Sequence, residues 1–105
     1  MASVHSLSAT SVERHAKRGS RGVYKLFNSR GGPVRYVGRS ENVHRRLKQW
    51  ERESDYGFFS VEHISDLEDA WKREVNLYHQ NISTVDNEIH PRSPEGMACH
   101  RCSRV

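Results

Sequence analysis

The segment that most restricts this chain is Gly22 to Ser40, "GVYKLFNSRGGPVRYVGRS". Two runs rich in β-branched and aromatic residues flank "NSRGGP", where Asn28, Gly31, Gly32 and Pro33 crowd into a turn. Such a pattern predicts a β-hairpin with a loop longer than two residues. Each run carries a glycine and a tyrosine one residue apart, Gly22-Val23-Tyr24 in the first and Tyr36-Val37-Gly38 in the second. A glycine inside a strand marks a close approach of backbone, either between strands or to a ligand.

Downstream, Asn42 predicts the N-cap of a helix "VHRRLKQWERE", with Val43, Leu47 and Trp50 on one face and Arg46 at its flank. Residues 57–64, "GFFSVEHI", read as a third strand. "SDLEDAWKREVNLYHQN" follows, with Ser65 and Glu68 at capping-box spacing and Asp66, Glu68 and Asp69 loading acid into its start. Strands and helices in this order predict an α+β fold, a three-stranded antiparallel sheet flanked by helices. Residues 1–20 read as a basic, frayed or partly helical tail. From about residue 82 the chain is irregular.

The second long helix carries the sharpest anomaly. Leu67, Ala70, Trp71, Leu77 and Tyr78 form an apolar stripe of helical period, and Glu74 falls near its middle. An inward carboxylate is costly unless something neutralises it. Two structural readings stand: a buried ion pair with an arginine, Arg46 being a natural neighbour, or a helix rotated so that the carboxylate reaches solvent.

With 105 residues, 34% apolar and 29% charged, the chain has room for one domain with a small core. No run approaches 18 apolar residues, and "MASVHSLSAT" lacks the build of a secretion signal. The expectation is a cytoplasmic protein with no membrane partner. The net charge of +4 is uneven: residues 14–48 hold eleven Lys/Arg, among them Arg39, Arg45, Arg46 and Lys48, against a lone Glu41. A basic half of this kind points to a polyanion, because neutralising phosphates releases condensed counterions. A solvated surface is the plain alternative.

The two cysteines, Cys99 and Cys102, are too few and too close for a disulfide framework. With His90 nine residues before Cys99 they instead offer three ligands for a structural Zn²⁺, His79 or His63 being candidates for the fourth. The other reading is two free thiols on a loose tail.

The ordered set, Gly-Val-Tyr, eleven residues, Tyr-Val-Gly, an Asn-opened helix, an arginine ten residues after Tyr36 and a later helical glutamate, resembles the GIY-YIG nuclease family, with one Ile-to-Val exchange in each tripeptide. The resemblance spans about residues 22–90, giving a nuclease domain at 21–90 and a C-terminal tail at 91–105. It implies metal-dependent endonucleolytic hydrolysis of DNA, with Tyr24, Tyr36, Arg46 and Glu74 as catalytic residues and Mg²⁺ or Mn²⁺ on Glu74. Tyr24 is the expected proton acceptor, which requires a phenol pKa lowered from about 10. Tyr36 then positions water or phosphate, and Arg39 assists at the phosphate. Asn87 ties down the site, and His44, on the first turn of the Asn42 helix, is an alternative proton acceptor. Arg39, Arg45, Lys48, Asn87 and His44 make up the expected DNA-contacting set. So short a form implies a monomer acting in repair, restriction or mobility of DNA, with weak sequence preference or a targeting protein partner. The competing reading is a non-catalytic nucleic-acid-binding module on the same fold.

Overall fold

A computed structural model describes residues 3–87, 90–94 and 99. Its element order is β1 (His5–Ser6), α1 (Ala9–His15), β2 (Gly22–Phe27), β3 (Val34–Ser40), α2 (Val43–Glu53), β4 (Phe58–His63) and α3 (Leu67–Gln80). The strands form one sheet in the order β1-β4-β2-β3, every neighbouring pair antiparallel. The sheet therefore has four strands, one more than the expected three.

The extra strand and α1 both come from the segment expected to be a frayed tail. Ser8 caps α1 by accepting from the Ser11 N–H at 3.2 Å, and Val12 and Ala16 then sink fully into the core. Two apolar positions and a two-residue strand leave no period to read in sequence. They are recruited by burial and by β4, since His5 and Ser6 pair with Phe59 and Phe58.

Strand alternation sorts the core onto two faces. Tyr24, Leu26 and Phe59 meet Val12, Ala16, Val43 and Leu47 on the α1/α2 face. Val23 and Val37 meet Ala70 and Leu77 on the α3 face. α2 begins as its sequence indicates, with the Asn42 side chain accepting from the Arg45 N–H at 3.2 Å. For α3 the cap is Asp66 rather than Ser65: Asp66 Oδ1 accepts from the Asp69 N–H at 2.9 Å. The Ser65 carbonyl is engaged elsewhere, by the Arg21 guanidinium.

The hairpin also explains its two glycines. Gly22 lies in register with Ser40 and His63, and a Cβ there would stand 2.4 Å from the Glu62 carbonyl oxygen. Gly38 lies opposite Tyr24, and a Cβ there would stand 2.4 Å from the Tyr24 ring. The glycine of the second tripeptide thus makes the bed for the tyrosine of the first. Both distances are impossible for a side chain, so the spacing of the two tripeptides is a packing requirement as well as a motif.

Candidate functional site

The hairpin delivers Tyr24 and Tyr36 to the α1/α2 face, rings stacked with centroids 6.3 Å apart. Trp50 of α2 packs against Tyr36 at 4.7 Å and donates its indole N–H to the Tyr24 hydroxyl at 2.8 Å. Tyr24 is buried; Tyr36 is only partly so and lines a cavity of about 380 Å³ with Arg46, Gln49, Trp50 and Glu53. A second, adjoining hollow of about 490 Å³ is lined by Arg39, Asn42, Arg45, Arg46 and Gln49 among others. Arg45 and Arg46 are exposed and belong to this mouth.

Glu74 is buried at 8% exposure on the inward stripe of α3. Its expected neighbour was Arg46; its nearest cation is instead Arg39, Nη1 to Oε1 at 3.6 Å. The cause is strand parity: Arg39 follows Gly38, so it shares the α3 face with Val37, whereas Arg46 rides on α2. At 3.6 Å the pair is too long for a hydrogen bond. Glu74 Oε1 and Arg39 Nη1 are both buried atoms without a hydrogen-bond partner among the described residues. Burial pushes the Glu74 carboxyl up to about 7, Arg39 only partly opposing it.

Tyr24 and Tyr36 pack on the α1/α2 face and Glu74 comes from α3 on the other, yet each phenol lies within electrostatic reach of both Arg46 and Glu74. Both phenols feel the Glu74 carboxylate, which raises their pKa, and the Arg46 guanidinium, which lowers it. Neither charge is the main influence. Burial dominates and lifts both phenols, Tyr24 far above the ordinary range. This corrects the expectation of a phenol with lowered pKa. Both tyrosines stay protonated at neutral pH and serve as hydrogen-bond donors, Tyr36 being the one that borders open space.

Other expected site residues separate from the cluster. His44 is buried and its Nε2 lies 2.8 Å from Glu13 Oε1, so that ring nitrogen is engaged by α1. Lys48 stands 3.7 Å from the same carboxylate and is half-buried. Glu13 of α1 is thus a neighbour of both that reading α2 alone does not reveal. Asn87 clamps Val37 from both sides of its peptide, accepting from the Val37 N–H at 3.1 Å and donating to the Val37 carbonyl at 2.8 Å. It ties down the strand between Tyr36 and Gly38, as expected, but its amide is engaged by backbone rather than left for DNA. Arg39 also donates to the Arg92 carbonyl at 3.2 Å, a contact the sequence does not signal.

Of the expected zinc ligands, Cys102 lies outside the described residues. His63 is remote in contact, its Nε2 accepting from the Lys17 N–H at 3.0 Å. His79, His90 and Cys99 come together, their ligand atoms all within 4.8 Å of one another. Among the described residues no helix is long and apolar enough to cross a membrane. Comparison of the chain with protein-family models, curated proteins and solved structures returns no match.

Proposed function

We propose that the protein is a divalent-metal-dependent endonuclease of the GIY-YIG type acting on DNA. One observation carries the reading: a buried carboxylate oxygen of Glu74 has no hydrogen-bond partner among the described residues and acts on two phenols that also feel Arg46. A buried acceptor left unmade costs about 1–3 kcal/mol, more when charged, so this oxygen calls for an explanation, and a cation is one. The donor chemistry fits Mg²⁺ or Mn²⁺. Mg²⁺ binds through one or two carboxylates while keeping waters and taking substrate phosphate oxygens. A cation on Glu74 supplies Lewis-acid stabilisation of charge on the phosphate.

The chain's own residues do the rest. Arg46, exposed at the mouth, offers a planar fork of donors that matches two phosphate oxygens. Tyr36 Oη, neutral and bordering the cavity, donates to a phosphate oxygen or holds the attacking water. Tyr24 Oη, bonded by the Trp50 indole, keeps the aromatic stack rigid behind it. Arg39 lies opposite Glu74 and lines the hollow beside Arg46, where it would add positive charge toward a phosphate.

A second reading, a non-catalytic nucleic-acid-binding module, is favoured by that same Arg39. A guanidinium 3.6 Å from Glu74 already supplies counter-charge, as a purely structural pair would. The two readings part in a cleavage assay on plasmid DNA with Mg²⁺ or Mn²⁺. The enzyme reading expects metal-dependent nicking by wild type and none by Glu74→Ala. Binding without nicking, or equal nicking by both proteins, rejects it.

A further inference from the structure

One and a half turns beyond Glu74, α3 presents His79 in its last turn, and the chain returns to bring His90 and Cys99 against it. His79 Nε2 lies 3.2 Å from His90 Nε2 and 3.6 Å from Cys99 Sγ. A tetrahedral Zn²⁺ with nitrogen ligands at about 2.05 Å and sulfur at about 2.3 Å has an N···N edge of about 3.3 Å and an N···S edge of about 3.6 Å. These two separations match those edges, and the third, between His90 and Cys99, lies within 4.8 Å. No other metal geometry with these donors is needed to explain them; imidazole with thiolate is the donor set zinc favours.

The tautomers agree. His90 Nδ1 sits 2.9 Å from the Pro91 carbonyl oxygen, to which it donates its N–H. This leaves the Nε2 lone pair aimed at His79 and Cys99, and a backbone carbonyl on the far nitrogen is the usual support of a metal-bound histidine. A cation at the centre satisfies all three lone pairs at once. The surroundings are built: Cys99 is buried against Trp71 and Val75, and Tyr78 sets its ring edge-on to both His79 and His90, at 5.2 and 5.4 Å.

We propose that His79, His90 and Cys99 are three ligands of a structural Zn²⁺ that ties residues 90–94 and Cys99 to the end of α3. The inference is independent of DNA cleavage. It does have a consequence for the other site, because the stapled segment includes Arg92, whose carbonyl holds Arg39 opposite Glu74. In a domain with so small a core, metal binding is folding free energy.

The test is metal content and spectroscopy on the full chain, produced with zinc in the medium. Wild type and Glu74→Gln are each expected to carry about one zinc per chain, and Cys99→Ser and His90→Ala substantially less. Replacing zinc by Co²⁺ is expected to give a tetrahedral d–d spectrum with a thiolate charge-transfer band, the band's intensity counting the thiolates. Stripping the zinc with a chelator is expected to lower Tm and to expose the chain around His90 to limited proteolysis, both reversed by zinc. Should Cys99→Ser and His90→Ala fail to fold, the wild-type content and cobalt spectrum decide alone. Zinc-free wild type with no cobalt charge-transfer band overturns the proposal. Loss of zinc in Glu74→Gln but not in Cys99→Ser also overturns it, by moving the metal to the other site.

Discussion

Two neighbouring residues of α3 take part in two glutamate–arginine pairs with opposite construction. Arg73 grips Glu62 of β4 through three hydrogen bonds of 3.0 to 3.2 Å, half-exposed and geometrically complete. Glu74, the next residue, faces Arg39 at 3.6 Å, buried, with an atom on each side that has no hydrogen-bond partner among the described residues. The first pair closes on itself and is worth little to stability, as surface ion pairs are. The second is a charge held out of water without the hydrogen bonds that normally justify it. The contrast teaches that α3 builds a saturated ion pair at Arg73 and, one residue on, leaves a buried carboxylate oxygen without a hydrogen-bond partner among the described residues.

The largest expected break between the two pairs is in cleavage. Glu74→Ala should lower metal-dependent nicking by more than about 10³-fold and Glu62→Ala by only a few-fold; equal losses erase the distinction. Arg46→Ala should cost about 10²–10³-fold, the size expected for one donor to developing phosphate charge. An effect below tenfold, measured on the same plasmid, would make Arg46 a solvated cation.

The same contrast can be sharpened through pH. In the fold the Glu74 carboxyl is raised from 4.5 to about 7, so between those values the folded state holds a proton that the unfolded chain has released. Stability from this group is full below pH 4.5 and is lost as pH rises through about 7. The loss reaches at most about 3 kcal/mol, since a tenfold change in proton affinity corresponds to about 1.4 kcal/mol. Glu74→Gln should therefore be more stable than wild type at pH 8 and lose that advantage toward pH 4.5. Added Mg²⁺ should narrow the gap at pH 8 if the carboxylate binds it, whereas Glu62→Gln should move stability by under about 1 kcal/mol at either pH. Chemical denaturation at both pH values, with and without metal, reads all three.

The smallest effect separates the tyrosines. Tyr24→Phe leaves the Trp50 indole N–H without its acceptor in a buried place and should cost about 1–3 kcal/mol. Tyr36→Phe, at the cavity wall, should cost less than about 1 kcal/mol yet slow cleavage. A reversed ranking in urea melts would show that the aromatic stack is not anchored through Tyr24.

Much of this fold is legible in the chain. The hairpin, the Asn42-capped helix and the long α3 announce themselves because turn residues, caps and apolar periods are local. The anomaly at Glu74 is legible for the same reason, since one charge interrupts an otherwise regular stripe. β1 and α1 are not, because two strand residues and two core positions carry no period. The contacts of His44 and Lys48 with Glu13 are missed with them, since Glu13 is some thirty residues away in sequence.

What the sequence alone determined is therefore the order of elements from β2 to α3, the spacing of the glycine–tyrosine tripeptides and the identity of the odd carboxylate, all consequences of short-range stereochemistry. Only the tertiary structure decided which arginine faces Glu74 and that both phenols are held protonated. It also decided that His79, rather than His63, meets His90 and Cys99. Those outcomes depend on strand parity, on helix packing and on how deeply each group is removed from water, and desolvation is a property of the assembled fold.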